Sequence, residues 1–204
     1  MPGPYRGRRL VLREPGNEHE VDECAEMIKA RKIDELTKVV EVGLSREVTW
    51  QLPGDNYLHY GREYPYGIAF VLVSGVEADD VEELTGMMSD YFEPLADADL
   101  LDGVDSAVSV EDLRAKLVRA GIGAAQSADE RYVERITAAM GDWRPRVREG
   151  GLWAGMYALW PELYPLCEHL AQNDPEQFLR EQAAVLARHM RERGIVPVTT
   201  PSAG

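Results

Sequence analysis

Apolar residues recur along this chain in two rhythms. Leu10, Val11 and Leu12 stand between charges, so Arg9 to Arg13 reads as a short strand, and Pro15-Gly16 turns the chain after it. Asn17 and Glu20 have the spacing of a capping box, and Val21, Cys24 and Ile28 then fall on one helical face. Asp34 opens a second helical stretch, with Leu36, Val39 and Val40 inward and Gly43 as its stop. Glu47 to Leu52 reads as a strand and Pro53-Gly54 as a turn. Ile68 to Val73 is apolar without helical period. Bounded by Gly67 and Gly75, it reads as a strand buried on both faces.

Helical spacing dominates from Asp79 onward. Val81, Leu84, Met88 and Tyr91 predict the inward face of a helix that ends before Pro94. Ser109 with Asp112, and Ser127 with Glu130, predict two further helix starts, closed by Gly121 and Gly141. Asp174-Pro175 opens a last helix with Phe178, Leu179, Leu186 and Met190 inward and Gly194 at its end. Between these, 151–171 is apolar all round, with Trp153, Met156, Tyr157, Trp160 and Tyr164 at helical spacing. It predicts a buried central helix, kinked or split near Trp160 by Pro161 and Pro165.

These elements add up to a predominantly α-helical α+β fold. Six or seven helices are expected, with a small N-terminal sheet of two or three short strands. The chain reads as a single domain, 1–204. The alternative is an α+β half, 1–95, and a helical half, 109–195, joined by an acidic segment.

Charge changes the picture most. The formal net charge is −14. Residues 63–113 hold 14 acidic residues and no Lys or Arg, while the flanking regions are nearly neutral. This argues against binding to nucleic acid, which draws its affinity from cations on phosphates, and against docking on anionic membrane. A basic partner protein, a cation or the chain's own arginines could meet such a surface. Cys24 and Cys167 are the only cysteines and belong to no C-x-x-C pair, which suits buried thiols in a reducing, cytoplasmic setting. Arg8-Arg9 is followed by only three apolar residues, and no apolar run approaches a membrane span.

One segment concentrates interaction chemistry. Tyr57, His59, Tyr60, Arg62, Tyr64 and Tyr66 lie within ten residues and read as a Tyr-rich loop, 57–66, able to bind a partner or ligand. His59 could serve as a base, with Arg62 holding an anion and Glu63 or a tyrosine orienting the imidazole. No nucleophile stands at a diagnostic spacing, so no catalytic residue is assigned. The acids at 97, 99, 102 and 105 miss the calcium-loop spacing, and the histidines lack ligand partners, so neither a metal site nor a cofactor is implied. The basic run Trp143 to Arg148 reads as a connection whose arginines face the protein's own acids.

The function this supports is a non-catalytic binding or regulatory protein of the cytoplasm. It would engage a partner protein, basic by charge complementarity, through the acidic surface 63–113 and the Tyr-rich loop. The alternative is an enzyme or small-ligand-binding protein with a pocket between the sheet and the Trp-rich helix 151–171. Oligomeric state has no signature in the sequence.

Overall fold

The computed structural model describes residues 5–13, 17–37, 44–63 and 65–197. The chain divides into two compact units, Met1–Ala96 and Asp97–Gly204.

The first unit is built on a sheet of six strands. They are β1 (Tyr5–Arg6), β2 (Leu10–Val11), β3 (Arg31–Thr37), β4 (Leu44–Leu52), β5 (Asn56–Glu63) and β6 (Ile68–Gly75). Helix α1 (Glu18–Met27) lies between β2 and β3 in sequence, and α2 (Ala78–Phe92) follows β6. Strands β3 to β6 form an antiparallel meander. The N-terminal strands return to its far side, giving the order β1-β6-β5-β4-β3 with β2 also on β6. Gly54 (φ +73°) and Asp55 (φ +57°) supply the left-handed backbone that turns β4 into β5. The sheet ends, among the described residues, at β3, where a bulge falls between Lys32 and Asp34.

One sheet face carries the core. Val48, Trp50, Leu58, Tyr60, Val71 and Val73 point to α1 and α2, which bring down Val21, Cys24, Ala25, Val81, Met88 and Phe92. Each large side chain so buried contributes roughly 1.5–3 kcal/mol. Helix α1 starts as its sequence predicts: the Asn17 side chain accepts the Glu20 amide at 3.3 Å. In α2 the inward aromatic is Phe92, and Tyr91 faces out.

The expectation of a small sheet of two or three strands is therefore wrong, for identifiable reasons. Residues 31–37 form β3 where a helix was expected from Asp34; residues 39, 40 and 43 lie outside the described residues. This strand is held by its ladder to β4 and by charge, not by burial. The Lys32 ammonium sits 5.2 Å from the Trp50 ring centre and pairs with Asp22 (2.7 Å) and Glu35 (3.2 Å). Hydrophobic periodicity cannot reveal such an edge strand. Residues 56–63 are strand β5 rather than loop, because Leu58 and Tyr60 point inward while Tyr57 and His59 point outward. With aromatic or large groups on both faces, the period of two was hidden. Residues 5–6 pair with Gly75 and Ser74.

The second unit is helical: α3 (Asp97–Asp105), α4 (Val110–Gly123), α5 (Glu130–Met140), α6 (Pro145–Ala158), α7 (Tyr164–Asn173) and α8 (Gln177–Glu192), with a 3₁₀ turn at Pro161–Leu163. Among the described residues there are thus eight α-helices instead of six or seven. The acidic segment after residue 95 forms α3, with Leu100, Leu101 and Val104 buried. The region 151–171 is split at Leu159, whose left-handed φ of +50° caps α6 just before Pro161. Ser109 caps α4 as expected, accepting the Asp112 amide at 3.1 Å. Asp129, not Ser127, caps α5, accepting the Arg131 amide at 2.9 Å.

Helix α6 is the hub of this unit. Its small residues let α4 approach so closely that a Cβ on Gly121 would lie 2.5 Å from the Ala154 Cα. Trp160 is buried, donates through Nε1 to the Ala125 carbonyl (3.0 Å) and meets Tyr132 edge-on at 6.1 Å. Trp153 is only half-buried, although the stripe predicted both tryptophans inside. The arginines of the basic run do face the protein's own acids: Arg144 pairs with Asp142, Arg146 with Glu149 and Arg148 with Asp174.

Candidate functional site

Successive strand residues alternate between faces, so the side of the sheet turned away from α1 and α2 can be read off the register. One row across it is polar. Arg6, Ser74, Tyr57 and Gln51 stand opposite one another on β1, β6, β5 and β4. The next row places His59 between Leu72 and Thr49. Where the face turns apolar, Phe70 lies flat over Gly61, leaving no room for a Cβ there.

His59 joins the two rows. Its Nε2 is 2.8 Å from the Ser74 Oγ, and its Nδ1 is 3.2 Å from the Thr49 Oγ1 and 3.3 Å from Glu47 Oε1. Ser74 is 4% exposed, and the side chains of His59 and Glu47 are 16% and 36% exposed. A serine, an imidazole and a carboxylate are thus lined up on β6, β5 and β4. The imidazole is held at both nitrogens, so its ring orientation is fixed before any ligand arrives.

Two buried polar groups lie nearby in the same unit. The Glu63 carboxyl is 1% exposed, and its Oε2 has no hydrogen-bond partner among the described residues. Burial pushes it up to about 7, with the Tyr66 backbone amide pulling weakly the other way. Asn56 is buried too. Its Nδ2 donates to the Pro53 carbonyl (3.2 Å), while its Oδ1 has no hydrogen-bond partner among the described residues.

The six tyrosine-segment residues are not brought together. Tyr57 and His59 share the polar face. Tyr60, opposite Val48 and Val71, is 1% exposed in the core, and burial raises its phenol above the ordinary range. Arg62 is opposite Arg46 and Ala69, on the helix-facing side, so it cannot share a ligand with His59 there. Tyr66 is half-buried in the turn before β6, and Tyr64 lies outside the described residues. Sequence reading missed Ser74, Thr49 and Glu47. Their signal was the period of two in β4, β5 and β6, which shows itself once 56–63 is read as a strand.

A second surface lies on α2. Glu77, Asp79, Asp80, Glu83 and Asp90 are exposed, and Met87 (49% exposed) and Tyr91 (39%) stand one turn apart among them. Within the first unit three of the described cations are engaged elsewhere: Arg46 with Glu18, Lys32 with Asp22, Arg31 with Gln51. None of those five acids forms an ion pair with a described residue of this unit. An open groove of about 570 Å³ between α1 and β3, with Trp50 as its floor, is lined by Lys32 and Arg31 in these same pairings. Within it the Lys32 charge is already matched by Asp22.

Comparison with known protein families, with curated proteins and with solved structures finds no match to this chain. The function must therefore be argued from these two surfaces. No helix among the described residues is long and apolar enough to cross a membrane. Both cysteines are buried free thiols, and burial pushes Cys167 up to about 12.

Proposed function

We propose that this chain is a cytoplasmic binding or regulatory protein that engages a basic partner protein through the outer face of α2. The observation that carries the reading is the exposure of Met87 and Tyr91, one helical turn apart, amid acids that pair with no described cation of their own unit. Exposed aromatic and Met side chains supply the apolar area that anchors a complex. Surrounding charges of one sign speed the approach of an oppositely charged partner. Tyr57 lies on the opposite sheet face and stands apart from this surface. Tyr60 is excluded by its place in the core. Two buried unpaired thiols suit a reducing compartment.

The test is isolation of the partner from native lysate at low salt, followed by two sets of substitutions. Tyr91→Ala should weaken binding about 30-fold through faster dissociation. Asp79→Asn with Asp80→Asn should slow association and flatten its salt dependence. A partner that binds equally well after both sets would overturn the assignment of this face.

A further inference from the structure

Independently of the α2 surface, we propose that Ser74, His59 and Glu47 form a nucleophilic relay and that Ser74 takes up acyl groups from small activated esters. The geometry supplies each role. Ser74 Oγ is within hydrogen-bond distance of His59 Nε2, at 2.8 Å. Glu47 Oε1 lies 3.3 Å from Nδ1 on the opposite side of the ring. An ionised carboxylate only accepts, so it places the imidazole proton on Nδ1. That leaves the Nε2 lone pair facing the serine hydroxyl, the arrangement in which a histidine activates a serine. Thr49 Oγ1, at 3.2 Å from Nδ1, braces the same edge of the ring. Glu47 and Thr49 are positioning residues; Ser74 and His59 are the reacting pair.

The step balances without a co-reactant other than water. Oγ attacks the ester carbonyl carbon as its proton passes to Nε2. The C–O bond to the alcohol breaks, and the alcohol leaves with that proton. Water, deprotonated by the same nitrogen, then cleaves the acyl-serine and restores the hydroxyl. Arg6 and Tyr57, directly opposite Ser74 on the two neighbouring strands, place a guanidinium and a phenol in its row, donor types suited to charge developing on the carbonyl oxygen. The small exposure of Ser74 limits the acyl donor to a short chain. Because the three groups come from three adjacent strands, the relay is a property of the register and not of any loop.

The experiment uses the full chain with an alkyl fluorophosphonate, read by intact mass and peptide mapping, and with p-nitrophenyl acetate. The expected result is a single adduct on Ser74, absent in Ser74→Ala and slowed about 100-fold or more in His59→Ala. Glu47→Gln should lower the labelling rate about tenfold, and Glu47→Asp, which keeps a carboxylate, should recover most of it. A purely packing role for Glu47 would make the isosteric Gln the milder of the two changes. Ser74→Ala removes one small hydroxyl, and an unchanged circular-dichroism spectrum and melting temperature would confirm that it folds. Absence of a Ser74 adduct in folded wild-type protein would overturn the proposal. So would labelling of Ser74 that is indifferent to His59→Ala in a variant that melts cooperatively.

Discussion

Arg148 lies across Asp174 in a two-pronged pair, Nε to Oδ2 at 2.7 Å and Nη2 to Oδ1 at 2.9 Å, with the Asp174 side chain fully buried. The remaining guanidinium nitrogen donates to the carbonyls of Asp142 (2.9 Å) and Trp143 (3.1 Å). Asp174 Oδ1 also accepts the Glu176 amide at 2.9 Å, just ahead of α8. One ion pair therefore ties the start of α6 to the start of α8 and fixes the α5–α6 turn. Arg148→Ala would leave a buried carboxylate without its counter-charge, and chemical denaturation should show a loss of about 3–5 kcal/mol.

Asp174 should also give the acid limb of stability its shape. Burial opposes its ionisation, but the bonds from Arg148 and the Glu176 amide outweigh burial and hold it below the usual carboxylate range. A carboxyl depressed in the folded state stabilises above its unfolded value, and that stability is lost as pH falls through the folded value. Asp174→Asn should therefore flatten the fall in stability on acidification, measured by melting temperature against pH.

Glu63 should act in the opposite sense. Its carboxyl rises from an ordinary 4.5 to about 7 because it is buried. The folded chain then holds a proton that the unfolded chain has released, so stability declines as pH rises from about 4.5 to about 7 and levels off above. Glu63→Gln should remove this decline and raise stability at mildly alkaline pH by on the order of 2 kcal/mol, with little change in acid. An unchanged pH profile in the variant would contradict this account.

The close approach of α4 and α6 makes Gly121 intolerant of a methyl group. A Cβ there would meet the backbone of Ala154, which cannot swing aside as a side chain could. Gly121→Ala should cost about 1–3 kcal/mol despite the better helix propensity of alanine, seen as a lower denaturation midpoint.

The two tryptophans of the aromatic stripe should separate in the same measurement. Trp160 fills a closed site with its indole nitrogen bonded, so Trp160→Ala should cost about 3–5 kcal/mol. Trp153 is half-buried, and Trp153→Ala should cost clearly less.

What could be read from the chain follows from how each element is held. Helix α1 announced itself because Asn17 caps it and Val21 and Cys24 repeat at helical spacing into the core. Strand β6 was legible because all its positions are buried. Strand β3 was not, since Lys32 and Glu35 hold each other and their neighbours by charge, and Asp34 imitates a helix start. The second face suffered most. Ser74 and His59 are 15 positions apart and meet only through the register of β5 with β6. Reading 57–66 as a loop kept His59 in view but removed the strand that brings it to its serine. Tyr91, expected inside, faces solvent because Phe92 takes the inward place.

The bulge in β3 bears on how the molecule behaves in a crowded solution. A sheet that stops leaves a rim of amide and carbonyl groups, and a flat apolar rim would recruit strands from other chains. Here Arg31, Lys32, Asp34 and Glu35 are exposed along the last strand, and the irregularity between Lys32 and Asp34 breaks its flatness. An incoming strand would have to match that kink and strip water from four charged side chains. Termination of the sheet is thus written into the strand itself, and the chain can carry exposed Met87 and Tyr91 on its helical side without also offering an open seam for fibre growth.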